Sequence, residues 1–321
     1  MYRIGVDLGG TNIAVGVADE SYSIVGRASV KTDLPRPADE IVKSMAETVR
    51  LAVKHAGITL SEVEEVGVGS PGLIDPEQGT VIYANNLKFQ NVPLTALLER
   101  ELQKECRIIN DANAAAYGEY LAGAGKGVKN LVMVTLGTGI GGGVIYNGKI
   151  YSGSHIAGTE PGHMVIVANG FPCSCGRMGC WETYASVTAL IRQTKQMMYA
   201  DPDSKMWDLC KGDLSAVTGR TAFDAMRQGD EAGTNVFKRY VKYVGIGIAN
   251  LINLYDPDVI CIGGGISREG ETLLQPIRKL VVRELFGYGI REDTVKICAA
   301  ELGNDAGIIG AAYASELYGK E

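Results

Sequence analysis

Residues 6–11 read Val-Asp-Leu-Gly-Gly-Thr, and residues 134–139 read Val-Thr-Leu-Gly-Thr-Gly. In both places a β-rich run ends in a glycine-rich turn and a second β-rich run follows. The recurrence indicates an internal duplication of one strand–turn–strand unit, with two unrelated glycine hairpins as the alternative. Strands followed by crossover helices elsewhere in the chain predict an α/β fold.

Periodicity places further elements around the two turns. Strands are predicted over 2–7, 13–18, 23–31, 66–69, 107–109, 131–136, 143–150, 258–262 and 294–299. Helices are predicted over 38–56, from residue 111 onwards, over 231–255 and over 305–318. The first three strands are expected to form a meander.

Length and composition exclude several classes of protein. The chain has 321 residues, 46% of them hydrophobic, which suits about two domains and excludes global disorder. Its net charge of −6 disfavours a nucleic-acid or anionic-membrane partner, since both require a basic surface. No secretory signal or stretch of about 20 apolar residues is apparent. We therefore expect a cytoplasmic protein with reduced thiols.

The first glycine turn has the chemistry of an anion site. Adjacent Gly9 and Gly10 let backbone N–H groups face an anion without interference from a Cβ, and Thr11 adds a hydroxyl. Asp7, at the end of the predicted strand, is suited to hold Mg²⁺ through water. An ordinary hairpin turn is the alternative.

The second turn, at residues 137–142, has the formal spacing G-x-G-x-x-G. A dinucleotide-binding turn must open a helix, whereas a predicted strand follows here, and no G-K-[ST] of a P-loop is present. The sequence therefore favours a second phosphate clamp. A third cluster, at residues 263–265, follows a strand and could lie against the ribose or α-phosphate of a nucleotide.

Asp111 lies where a predicted strand gives way to an alanine-rich helix. Aspartate is a favoured N-cap, so helix capping is one interpretation. The other is a general base that accepts a proton from an incoming hydroxyl, with Asn110 as a polar neighbour.

A cluster of cysteines predicts a metal site. Three thiols and one imidazole match a closed tetrahedral zinc site: His163, Cys173, Cys175 and Cys180. Inert or redox-active thiols are the alternative. Two carboxylates flank this loop, Glu160 and Glu182. They suit a polyhydroxylated ligand that donates hydrogen bonds, unless they are solvated surface acids.

Taken together, these motifs resemble the ROK family of sugar kinases and repressors, and in particular its bacterial glucokinases. The order DLGGTN, SPG, NDANAAA, LGTGIGGG, EPGH, CSCGRMGCWE and IGGGI covers nearly the whole chain. The resemblance implies a two-domain actin-like ATPase fold, also called ribonuclease H-like, with an inter-domain cleft and a zinc loop. We expect residues 1–115, completed by a C-terminal helix at 305–321, to form a small domain and 116–304 a large one.

The resemblance also implies ATP-dependent phosphorylation of glucose, a step of glycolysis, with Asp111 as catalytic base. Implied sugar contacts are Gly72, Asn86, Asn110, Asp111, Glu160, His163 and Glu182. Implied contacts to ATP are Asp7, Gly9, Gly10, Thr11, Asn12, Thr138, Gly139, Gly264 and Gly265. Mg²⁺ and a structural Zn²⁺ are the implied metals. His163 would contact the sugar with one ring nitrogen and zinc with the other.

Two departures from the family pattern concern the substrate. N-acylmannosamine kinases of the family carry Arg where this chain has Leu73, and Phe89 stands where Trp is usual. Fructose, mannose, allose and N-acetylmannosamine remain alternative substrates. A sugar-responsive repressor is the other alternative, but repressors carry a DNA-binding segment before the first turn, and only six residues precede Asp7. We expect a homo-oligomer, either a dimer or a tetramer.

Overall fold

The computed structural model describes residues 1–155, 159–287 and 295–317. The chain divides into two compact units. Unit 1 comprises Met1–Leu131, Gly143–Thr159 and Glu301–Glu321, and unit 2 comprises Val132–Gly142 and Glu160–Ala300.

The bounds of the regular elements follow in chain order. The strands are β1 (Tyr2–Leu8), β2 (Asn12–Ala18), β3 (Ile24–Lys31), β4 (Val63–Ser70), β5 (Leu73–Asp75), β6 (Thr80–Ala84), β7 (Phe89–Val92), β8 (Cys106–Asn110), β9 (Leu131–Leu136), β10 (Ile140–Tyr146), β11 (Lys149–Ile150), β12 (Val259–Gly263) and β13 (Lys296–Ala299). The helices are α1 (Ala38–His55), α2 (Leu94–Leu102), α3 (Asp111–Ala122), α4 (Glu182–Ala185), α5 (Val187–Ala200), α6 (Met206–Leu209), α7 (Thr221–Arg227), α8 (Glu231–Tyr255), α9 (Glu271–Glu284) and α10 (Asp305–Ala312). Short 3₁₀ turns cover Leu60–Glu62, Pro161–His163, Leu214–Ala216, Gly265–Glu269 and Ala314–Glu316.

The first sheet has the order β3-β2-β1-β4-β8. β1, β2 and β3 pair antiparallel, as the predicted meander requires, whereas β4 and β8 add in parallel. Helix α1 packs on this sheet with the apolar stripe that its sequence predicts, including buried Ile41, Met45 and Val49. The C-terminal ends of β1, β4 and β8 therefore lie at one edge.

The second sheet has the order β11-β10-β9-β12-β13. This order matches that of the first sheet when β9, β10 and β11 are taken as the counterparts of β1, β2 and β3. In both sheets the central first strand lies between an antiparallel pair of strands, β2–β3 or β10–β11, and a parallel pair, β4–β8 or β12–β13. This agreement supports the interpretation of residues 6–11 and 134–139 as copies of one unit.

Unit 1 closes around α10, which packs against β1, β4 and α3. Glycines allow the backbones to approach closely. A Cβ added to Gly5 would lie 1.8 Å from the Ile308 carbonyl oxygen, and one added to Gly67 would lie 1.7 Å from that of Ala311. On α10 itself, a Cβ on Gly310 would lie 1.7 Å from the carbonyl oxygen of Ala114 in α3. The small residues of this segment therefore set its distance from the sheet.

Replacing Gly67 with alanine is expected to destabilise the protein by about 2–3 kcal/mol, because the added methyl group forces two backbones apart. Gly69→Ala is the matched control: it lies in the same strand and faces only ordinary contacts, with Ala114 Cβ at 3.4 Å. The control should change the free energy of unfolding by less than about 1 kcal/mol. Urea unfolding measures both, and equal losses would contradict this account of the packing.

Two predicted elements differ from the structure. The strand predicted over 143–150 is a hairpin of β10 and β11, because Asn147 and Gly148 turn with φ of 50° and 76°. Asn-Gly is a strong hairpin signal that the periodicity obscured. The helix predicted over 305–318 ends at Ala312 and continues as a 3₁₀ turn, with residue 318 outside the described residues. The first residue of the strand predicted over 294–299 also lies outside them.

The small antiparallel sheet β5-β6-β7 was not predicted, because its strands are three to five residues long. The predicted domain bounds at residues 115 and 304 remain a prediction. Within the described ranges, none of the helices combines the length and apolar character needed to span a bilayer.

Candidate functional site

Two carboxylates lie at the C-terminal edge of the first sheet. Asp7 is near the end of β1, and Asp111 is the first residue of α3, directly after β8. The parallel register aligns Asp7 with Gly69 and Ser70 with Asn110. Ligands bind at this kind of edge in open α/β sheets.

The electrostatics of the pair favour a neutralising partner. Burial, followed by the negative charge of Asp111, raises the pKa of Asp7 to about 6. Burial also raises the pKa of Asp111, opposed by the Ala112 N–H that donates to its Oδ1 at 2.8 Å. Two carboxylates that repel each other in a partly buried site favour a cation or a proton beside them. Asp7 therefore fits its predicted role as a magnesium residue.

The N-cap of α3 is Asn110. Its Oδ1 accepts hydrogen bonds from Ala112 N at 2.9 Å and Asn113 N at 3.2 Å. Its Nδ2 donates to the Gly72 carbonyl at 3.2 Å. The capping interpretation of Asp111 is therefore wrong, because Asn110 caps the helix. The hydrogen bond from Asn110 also places Gly72 beside Asp111.

The first glycine turn borders a cavity of about 600 Å³ in unit 1. Its lining includes all of the predicted ATP contacts of this unit: Asp7, Gly9, Gly10, Thr11 and Asn12. Arg27 and Asp305 also line it and form an ion pair through both oxygens of the carboxylate. Asn86 lies beside the turn, since a Cβ on Gly10 would be 3.6 Å from its Nδ2. The structure thus groups the predicted ATP contacts of unit 1 around one cavity, with Asn86 beside them.

The second turn, between β9 and β10, is tied to the start of α5. Val187 N donates to the Gly137 carbonyl at 2.8 Å, and Thr188 Oγ1 donates to the Thr138 carbonyl at 2.7 Å. Gly264 approaches the end of β9, because a Cβ there would lie 2.2 Å from the Leu136 carbonyl oxygen. Gly265, next to it, faces open space. The second and third glycine clusters are therefore neighbours within unit 2.

The four predicted zinc ligands converge. The ligand atoms of His163, Cys173, Cys175 and Cys180 all lie within 4.8 Å of one another. Cys173 Sγ is 3.6 Å from His163 Nδ1, and Cys175 Sγ is 3.7 Å from Cys180 Sγ. Tetrahedral zinc with bonds of about 2.0–2.3 Å separates its ligand atoms by about 3.5–3.8 Å. The donor set and spacing fit zinc.

Glu182 joins the zinc loop to the second turn. Its Oε2 accepts a hydrogen bond from Ile140 N at 2.8 Å, and its Oε1 lies 4.0 Å from Cys173 Sγ. A Cβ on Gly139 would lie 2.2 Å from Oε2, so glycine there makes room for the carboxylate. Glu160 is exposed, and its carbonyl accepts from His163 N at 3.1 Å. The Glu182 side chain therefore lies beside a zinc ligand, whereas Glu160 is linked to His163 through its backbone.

Sequence reasoning missed the Thr188 hydroxyl, the Glu182–Ile140 hydrogen bond and the Arg27–Asp305 pair. Each depends on elements distant in sequence, and none carries a motif of its own.

A profile of the ROK family matches residues 3–316 of the chain. The chain belongs to the ROK family. The predicted resemblance is confirmed, as is the α/β fold of the actin-like type.

Individual ROK proteins are similar over the full length. The glucokinase of Streptomyces coelicolor is 40% identical over 312 residues, which cover 96% of each chain. The glucokinase of Thermotoga maritima is 38% identical over 313 residues, covering 96% of this chain and 95% of its own. The crystal structure of a ROK family glucokinase from Streptomyces griseus, in complex with glucose and AMPPNP, is 40% identical. It has a TM-score of 0.82 over 98% of this chain and 99% of that one.

Proposed function

We propose that the protein is an ATP-dependent glucokinase. The 6-hydroxyl oxygen of glucose attacks the γ-phosphorus of ATP, and the bond between that phosphorus and the β–γ bridging oxygen breaks. The products are glucose 6-phosphate and ADP, and the proton of the hydroxyl is accepted by the protein. The alternatives are the same transfer to fructose, mannose, allose or N-acetylmannosamine.

The observation that carries this proposal is the grouping of Asp111, Asp7 and the first glycine turn at one sheet edge. Glucokinases 38–40% identical over nearly the whole chain support it, including one whose structure holds glucose and AMPPNP.

Asp111 is proposed as the base that accepts the proton of the 6-hydroxyl. Its pKa is raised by burial, which makes the carboxylate a better proton acceptor than an exposed one. Asn110 holds the first turn of α3, and so fixes the position of Asp111. A general base of this kind contributes about 10²–10⁴-fold to turnover.

Asp7 would hold Mg²⁺ through water, which suits an ion that retains much of its hydration shell. When bound, the ion supplies positive charge to the phosphate oxygens. The backbone N–H groups of the first turn, with the Thr11 hydroxyl, would bind phosphate oxygens from the protein side. Thr138, Gly139, Gly264 and Gly265 are also proposed as ATP contacts.

The zinc cluster is proposed as a structural site that shapes part of the sugar pocket. His163 would use one nitrogen for zinc and the other for a sugar hydroxyl. Glu160 and Glu182 offer acceptors to further hydroxyls, and Gly72, Asn86, Asn110 and Asp111 are also proposed as sugar contacts. Leu73, 37% exposed in β5, offers no charged donor to an N-acyl group.

We also propose that the protein is cytoplasmic and forms a dimer or a tetramer. The proposed domain bounds are residues 115 and 304. The absence of any basic excess at net charge −6 supports small-molecule partners.

A panel of hexoses in a coupled ADP-release assay tests the proposed function. Glucose is expected to give the highest kcat/KM, with glucose 6-phosphate as the product. A higher kcat/KM for N-acetylmannosamine would contradict the choice of sugar but leave a kinase. No hexose-dependent ADP release would contradict the kinase.

Replacing Glu182 with glutamine is expected to raise the KM for glucose by about tenfold, because a charge-assisted hydrogen bond contributes about 1.5–3 kcal/mol. The KM for ATP should change less, since the amide oxygen can still accept from Ile140 N. Steady-state kinetics with each substrate varied in turn measures both constants.

Glu182→Ala provides the comparison, because it also removes the acceptor for Ile140 N and should raise the KM for ATP as well. Unchanged glucose kinetics in Glu182→Gln would remove Glu182 from the sugar pocket.

A further inference from the structure

The residue that follows β3 returns to the first glycine turn. Thr32 is fully buried, with 0% of its surface exposed. Its backbone N–H donates to the Thr11 carbonyl at 3.0 Å, and its Oγ1 donates to the Gly9 carbonyl at 2.7 Å. One buried residue thus holds the carbonyls of both neighbours of Gly10: its side chain binds that of Gly9, and its backbone binds that of Thr11.

These two hydrogen bonds orient the turn. In a trans peptide the carbonyl and the following N–H point in opposite directions. Because the Gly9 carbonyl is directed at Thr32, the N–H of Gly10 is directed away from it. The turn itself has one internal backbone bond, from Gly9 N to the Asn12 carbonyl at 2.9 Å, which leaves the Gly9–Gly10 peptide plane to be fixed from outside.

Thr32 is in turn supported by helix α1. Arg36 Nη1 donates to the Thr32 carbonyl at 3.2 Å, and Arg36 Nη2 donates to the Glu40 carbonyl and to Ser44 Oγ at 3.0 Å each. Arg36 therefore links Thr32, and through it the first glycine turn, to helix α1.

We propose that Thr32 is a positioning residue for the phosphate chain of ATP. Its hydroxyl fixes the Gly9–Gly10 peptide plane and so directs the Gly10 N–H at a phosphate oxygen. Thr32 does not line the cavity beside the turn, so it acts through Gly9 rather than by contact with the nucleotide. This inference rests on the proposed function.

Thr32→Val tests the hydroxyl alone, because valine keeps the shape and the backbone N–H. Loss of the bond lets the Gly9 carbonyl rotate, and the KM for ATP is expected to rise about five- to tenfold, the equivalent of about one hydrogen bond. The KM for glucose should stay within twofold. Thr32→Ser, which keeps the donor, should restore a KM for ATP close to that of the wild type.

Thr48→Val is the matched control. Thr48 is also buried, 4% exposed, and its Oγ1 donates to the Ser44 carbonyl at 2.6 Å within α1. This variant should lose similar thermal stability but keep the wild-type KM for ATP. If Thr32→Val does not fold, Thr32→Cys takes its place: a thiol is a weak donor, and the KM for ATP should rise at least twofold.

Isothermal titration with AMPPNP and Mg²⁺ distinguishes failure of this inference from failure of the proposed function. If the wild type binds AMPPNP and the Thr32 variants match Thr48→Val, the inference is overturned and the proposed function stands. If the wild type binds no nucleotide and releases no ADP, both are overturned.

Discussion

Asp111→Asn is expected to lower kcat by at least ~10²-fold, the scale of general-base catalysis. The substitution removes the basic carboxylate but keeps its shape. Because Asn110 caps α3, the helix should stay intact, and the new amide oxygen can still accept from Ala112 N. Thermal stability should therefore remain near the wild-type value, and glucose should still bind.

Kinetics, glucose titration and a melting curve on the same preparation test this expectation. Asn110→Ala is the comparison, because loss of two hydrogen bonds to the first turn should cost about 1 kcal/mol of stability. Turnover of Asp111→Asn within a few-fold of the wild type would remove Asp111 from the role of base.

Cys175→Ser is expected to abolish most zinc binding and to lower the melting temperature. The native protein should contain about one zinc per chain. Cys175 is exposed, so the substitution removes no buried volume, and any loss of stability reports on the metal. A closed four-ligand zinc site contributes directly to folding free energy, and a missing thiolate opens it.

Elemental analysis of purified protein measures the zinc, and calorimetry the melting temperature. Cys298→Ser is the control, since this partly exposed cysteine lies in β13 outside the cluster and should leave the zinc content unchanged. The KM for glucose should rise more than that for ATP in Cys175→Ser. Native protein without metal would contradict the zinc assignment.

Zinc loss should leave part of the loop in place, because a second set of contacts anchors it. Tyr184 Oη accepts a hydrogen bond from Phe171 N at 2.8 Å, and the guanidinium of Arg192 lies 4.6 Å from the centre of the Phe171 ring. The variant should therefore unfold locally around residues 173–180 rather than globally.

Local patterns predicted much of the fold. The meander, the apolar stripe of α1 and the long helix α8 follow from periodicity, and α8 spans the predicted residues 231–255. The zinc ligands were also grouped from the sequence, although His163 lies ten residues before Cys173, because three thiols and one imidazole match a closed tetrahedral zinc site.

The remaining features depend on contacts that sequence spacing does not encode. Asn110 and Asp111 are adjacent and both suit a helix cap, so only the backbone direction at the end of β8 decides between them. The role of Thr32 depends on where β3 ends relative to the first turn. The bond from Ile140 to Glu182 likewise joins a turn to a helix more than forty residues later.

The position of α10 in the chain has a consequence for biosynthesis. Gly5 and Gly67 form a face of the first sheet that α10 covers closely, yet α10 begins at Asp305, roughly 240 residues after Gly67. At about 5–20 residues per second, the ribosome needs roughly 10–50 s to supply it. During that time the nascent sheet lacks the helix that packs on it. Synthesis of unit 1 therefore begins first but ends last. The residues of unit 2 are all available before α10 can pack on the sheet of unit 1.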